Sequence, residues 1–82
     1  MADTKPYDPA RMLDAVIHLR RLKNDAALCR ELEVFHPIIS KIRHRHIPVS
    51  ASILLRIHEV TGLEIKQLRA LMGDQRKHFR FS

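Results

Sequence analysis

The chain has 82 residues, 45% of them hydrophobic, with 15 Lys and Arg against 9 Asp and Glu and a formal net charge of +6. That length is one domain's worth and excludes a deep catalytic cleft between two domains; the apolar fraction excludes a disordered chain, and one Tyr, three Phe and two Gly argue against an all-β sandwich. The basic excess points to a polyanionic partner, nucleic acid first.

Residues 1–8 are expected to form a loose arm, because Met1 to Tyr7 is polar and carries Pro6. The pair Asp8-Pro9 predicts a helix start, with the Asp8 side chain as cap and proline in the first turn. Met12, Leu13, Val16, Ile17 and Leu19 or Leu22 recur at helical spacing, which carries this first helix from 9 to about 22. Asn24 caps a second helix that holds Asp25 in its first turn and Leu28, Cys29 and Leu32 on its inner face, ending near Glu33. Pro37 opens a third helix through Arg43 and belongs in its first turn, so the connecting turn runs from Glu33 to His36. After Pro48, Ser50 or the residue before it caps a fourth helix striped by Ile53, Leu54, Ile57 and Val60, which Gly62 ends in a left-handed cap. The fifth helix spans about Glu64 to Met72, with Ile65, Leu68, Leu71 and Met72 inward and Gly73 as its stop. Residues 74–82 read as a basic tail tipped by Phe79 and Phe81. Those two rings either fray with the terminus or tuck against the domain or a partner subunit, with Arg76, Lys77 and Arg80 then reaching phosphates. The expected fold class is all-α, a compact bundle of five helices over residues 9–73.

Residues 25–44, DAALCRELEVFHPIISKIRH, fit two short helices joined by a tight turn. Leu28 and Leu32 share one face at a separation of four. Val34 plugs the turn, and Ile39 and Ile42 face back from the second helix at a separation of three. Cys29 falls where the two helices cross and a small side chain is needed. Two helices at a steep angle held by a few apolar contacts make a helix-turn-helix. On Leu28-Cys29, Leu32, Val34, Ile39-Ser40-Lys41-Ile42 and the flanking helices, the chain resembles the phage lambda repressor and Cro-like helix-turn-helix family over roughly residues 9 to 72. The resemblance implies five helices with the second and third as the motif, binding of double-stranded DNA, and a homodimer. It also implies a dimer surface on the fifth helix and tail, with Leu68, Leu71, Met72 and Phe79 as candidates. That family usually has glycine in the turn, where this chain has Glu33, and often soon after the third helix, where it has Arg45. A left-handed backbone at either position would cost a non-glycine residue about 1 kcal/mol.

From Phe35 to Ser52 there is no acidic residue. Outside the apolar positions, His36, Pro37, Ser40, Lys41 and His44 point away from the core, on a helix taken as 36–44. Ser40 and Lys41 can donate to base edges or phosphates, and lysine commonly reads guanine O6 or N7. Phe35 and His36 are placed to touch a thymine methyl or a base edge. Asn24 and the amides opening the second helix are placed to hold a phosphate. Arg43 and Arg45 are expected to grip the DNA backbone, which positions without specifying.

The remaining residues point to little chemistry. One cysteine and the run His44-Arg45-His46 do not supply the four paired ligands of a structural zinc site, so no metal or other cofactor is expected. Cys29 reads as a small packing residue rather than a nucleophile or redox sensor. No Ser-His-Asp order, carboxylate pair or glycine-rich phosphate loop points to an enzyme, and no separate unit for a small-molecule ligand is evident. With one cysteine and no apolar run long enough to span a bilayer, a cytoplasmic protein without membrane contact is expected. The expectation is therefore a sequence-specific DNA-binding regulator of transcription, most simply a repressor. The alternative is a protein-interaction module on the same fold, an antitoxin or phage adaptor, whose basic face meets an acidic protein.

Overall fold

A computed structural model describes residues 7–74. Helix formation follows the apolar spacing, and among the described residues five helices result: α1 (Pro9–Leu19), α2 (Asp25–Leu32), α3 (His36–Arg43), α4 (Ala51–Thr61) and α5 (Ile65–Met72). The apolar positions of every helix converge on one core, in which Met12, Leu13, Val16, Leu28, Leu32, Ile39, Ile42, Leu54, Ile57, Leu68 and Met72 are essentially inaccessible to solvent. Val34, Val60, Ile65 and Leu71 pack against its margin. Among the described residues there is no strand, and no helix is long and apolar enough to cross a membrane.

The helix starts divide by mechanism. Asn24 accepts from the Ala27 amide at 3.0 Å, Ser50 accepts from the Ile53 amide at 3.3 Å, and the Glu64 amide donates to Gln67 Oε1 at 2.8 Å. Each satisfies an amide that the first turn leaves without a helical partner. The Asp8 side chain makes no such bond, contrary to its expected capping role. Its backbone does the work instead: the Asp8 amide donates to the Met72 carbonyl at 2.8 Å and ties the entry of α1 to the end of α5. Tyr7 packs against the core, and the Asp74 side chain is 2% exposed, with Arg69 Nε 3.6 Å away. Tyr7, Asp8 and Asp74 thus belong to the domain rather than to the arm and tail in which they were placed. Residues 1–6 and 75–82, with Phe79, Phe81 and the tail cations, lie outside the described residues.

The helix ends share one device. After α1, α2, α3 and α5 a left-handed residue turns the chain, and the amide beyond it reaches back five residues: Leu22 to Ile17, Val34 to Cys29, His46 to Lys41 and Asp74 to Arg69, at 2.8 to 3.0 Å. This pattern satisfies the carbonyls a helix end leaves open and favours glycine at the left-handed position. Gly73 fills it after α5, while Arg21 (φ 55°), Glu33 (φ 56°) and Arg45 (φ 63°) fill the other three. The two positions where the family resemblance led one to look for glycine are therefore left-handed, and both carry a side chain. Gly62, at φ 77°, ends α4 with a single bond from its amide to the His58 carbonyl at 2.7 Å.

Candidate nucleic-acid interface

Helices α2 and α3 are joined by Glu33-Val34-Phe35, one residue shorter than the turn expected, because His36 is already helical. Two features stiffen the turn. Val34 inserts at the margin of the core, and Arg56 of α4 donates from Nη1 to the Leu32 carbonyl at 2.9 Å, closing the end of α2. Cys29 is 7% exposed, in the core beside this turn. Burial first, and Asp25 second, push its thiol above the ordinary value, against an opposing effect of Arg30. It is a protonated packing group, not a poised nucleophile.

At about 100° per residue, α3 presents three distinct sides. Ile39 and Ile42 form the buried side. His36, Pro37, Lys41 and His44 are exposed, Ser40 is half-buried, and together they make the outward side. Phe35, just before the helix, is 78% exposed. It borders an open apolar groove of about 680 Å³ that runs past Ile38, Ile47 and Pro48 toward Ile53. Arg45 is exposed in the loop after α3, and the His44 and His46 rings lie 6.1 Å apart, tilted by 37°. Asn24 is exposed at the start of α2; its side-chain oxygen caps the helix, which leaves its amide hydrogens outward. Of the nine residues expected at a DNA surface, seven are thus exposed and Ser40 is partly so.

Arg43 is the exception, and its expected grip on the DNA backbone needs correction. Its guanidinium turns to the flank of α3 that faces α1 and α2. Nε and Nη2 donate to Asp25 Oδ2 and Oδ1 at 2.9 and 2.7 Å, and Nη1 donates to Asp14 Oδ1 at 2.8 Å. The side chain is 22% exposed. Its pKa is raised, first by the hydrogen bond to Asp25, with burial opposing and Asp14 adding to the rise. Neither pairing is legible in the sequence, since partners 18 and 29 residues apart leave no local signature. One signal was present: a residue one position beyond Ile42 and four beyond Ile39 stands beside the apolar side, not opposite it.

The expected dimer residues also need correction. Leu68 and Met72 are 0% exposed and fill the core of the single chain, where α5 lies against α1. Leu71 is half-buried, and Phe79 is outside the described residues. Among the described residues, no group of three or more His, Cys, Asp or Glu is placed to hold a metal ion. Compared with models of known protein families, with curated proteins and with solved structures, the chain matches none.

Proposed function

We propose that the domain is a sequence-specific double-stranded DNA-binding regulator of transcription, a repressor in the simplest case. In this reading α2 and α3 form a helix-turn-helix of the lambda repressor and Cro-like kind, with α3 lying in the major groove. The observation that carries it is the division of α3. Its inner side is fixed in the core, while Lys41, Ser40, His36 and His44 stand outward beside exposed Phe35 and Arg45, in a stretch of chain without an acidic residue. Lys41 and Ser40 supply donors for base edges, Phe35 an apolar contact for a thymine methyl, and Arg45 with the Asn24 amide contacts to phosphate. A single module of this size covers about 600–1,000 Å² of its own surface on DNA. Two copies on half-sites about 34 Å apart make the expected complex.

Selection of bound sequences from a random duplex pool at stated salt tests this directly. A palindromic motif is expected, bound with an affinity that falls linearly on a log–log plot against salt. Lys41→Ala is expected to weaken that site while leaving thermal stability unchanged. A mutant that binds as tightly as the parent refutes the assignment of α3.

The apolar groove beside Phe35 favours a second reading, a module that binds an acidic protein through the same basic side. That reading requires a pool selection that enriches no sequence.

A further inference from the structure

We infer that Arg43 is a positioning residue for DNA readout, which holds α3 at a fixed roll against α1 and α2 without touching the duplex. The inference rests on the DNA-binding reading above.

The buried side of α3 consists of Ile39 and Ile42, with Ile38 half-buried against the margin of the core. Apolar contacts are non-directional, so these few hold a helix down but resist its rotation weakly. The guanidinium adds what they lack. Its planar fork meets both oxygens of Asp25 on α2 at 2.7 and 2.9 Å, and its third donor meets Asp14 on α1 at 2.8 Å. Charge-assisted bidentate bonds fix a plane as well as a distance. The distances at stake are small. Side chains on a helix extend to a radius of about 5–6 Å, so a 20° roll of α3 moves the atoms facing DNA by about 2 Å. A hydrogen bond to a base edge has a distance window of about 0.5 Å. Loss of the clasp therefore places Lys41 and Ser40 out of reach of the edges they would read.

A second effect falls on the same site. Asp25 is the first residue of α2, whose opening amides are the candidate phosphate ligands. A bare carboxylate there would repel phosphate, and Arg43 neutralises it.

The test compares affinity for the selected site with affinity for an unrelated duplex of equal length. Both are measured at a temperature where parent and variants have the same helical circular dichroism. The double variant Asp14→Ala/Asp25→Ser frees Arg43 and raises the formal net charge of +6 by two. Binding to the unrelated duplex is expected to tighten, binding to the selected site to weaken, and their ratio to fall at least tenfold. If both tighten together and the ratio holds, the inference is overturned. The second variant, Arg43→Met/Asp25→Ser, removes the pair without changing net charge. The expected result is a lower ratio with an unchanged salt slope. A slope smaller by about 0.9 marks Arg43 as a phosphate contact and overturns the inference. A parent that prefers no duplex overturns the DNA reading and this inference with it, whereas a parent that binds its site while the variants keep the ratio overturns the inference alone.

Discussion

Replacing Glu33 with glycine is expected to make the domain more stable, although it deletes a side chain and a charge. Glu33 sits at φ 56° and ψ 48°, where the Cβ of an L-residue crowds the following carbonyl at a cost of about 1–2 kcal/mol. Little is lost with the side chain. It is 83% exposed, and its one ion pair among the described residues, with Arg56, spans 4.0 Å, a separation at which water and salt screen the attraction. Against the relief stands the greater freedom of glycine in the unfolded chain, about 0.4–1 kcal/mol. The balance favours Glu33→Gly by about 0.5–1 kcal/mol. For a domain this small each kcal/mol moves the midpoint by about 4–8 °C, so a rise of about 2–8 °C is expected. Glu33→Ala is the control, because it removes the same carboxylate and keeps the Cβ. Urea and thermal unfolding of both variants, followed by circular dichroism, isolate the backbone contribution. A glycine variant no more stable than the alanine variant refutes the claim that the turn is strained at position 33.

Leu68→Ala is expected to lower stability by about 2–5 kcal/mol, as truncation of a buried leucine does. The loss should be the same at every protein concentration, since Leu68 lies in the core of the single chain; a loss that shrinks as concentration rises would return it to a subunit interface. Asn24→Ala removes the acceptor that caps α2 at 3.0 Å and is expected to cost about 1 kcal/mol, read as a lower urea midpoint at unchanged slope. Phe35→Ala, at a ring 78% exposed, should leave stability within about 0.5 kcal/mol while weakening the selected duplex; an equal effect on an unrelated duplex would deny it a role in specificity. The Cys29 thiol is raised by burial, so its modification by a thiol reagent at neutral pH should be slow and should accelerate with urea through the unfolding transition. Reaction at the rate of a free cysteine in the folded protein would contradict its burial.

The apolar skeleton was legible in the sequence because helical spacing and burial are two statements of one constraint. Met12, Leu13 and Val16, then Leu28 and Leu32, then Ile39 and Ile42, stand where their periodicity places them. Asn24, Ser50, Gly62 and Gly73 were legible for a local reason: a cap acts on amides or carbonyls within a few residues of itself. The larger failures, at Leu68, Met72 and Arg43, involve distance along the chain, whereas the missing Asp8 cap is a local one. An inward leucine on a fifth helix has the same pattern whether it meets its own chain or a second copy, so Leu68 and Met72 were assigned to the wrong contact. Arg43 looked like one more cation in an acid-free stretch, because its two carboxylates come from other helices. Arg21 gave no sign of its left-handed backbone, since no glycine stands there to mark it.

The brevity of α3 explains why these distant contacts matter to the site. A helix of eight residues is well below the length of about 12–15 at which isolated helices become even marginal in water. Its order must come from tertiary contacts: Ile39 and Ile42 in the core, the Arg43 clasp on one flank, and the turn through Arg45 at its end. The exposed side chains of Lys41 and His44 add little to that order, so selection for a partner can act on them at little cost to the fold. It follows that stability and recognition should separate by side of the helix. Changes at Lys41, Ser40 or His44 should alter what is bound and leave the melting temperature in place. Changes at Ile39 or Ile42 should lower the melting temperature and reach binding only through it. Arg43 belongs to neither set, because it is polar and partly exposed yet faces inward. A change there that lowered specificity well beyond its effect on stability would show that the roll of α3, and not its mere presence, determines what the outward side can read.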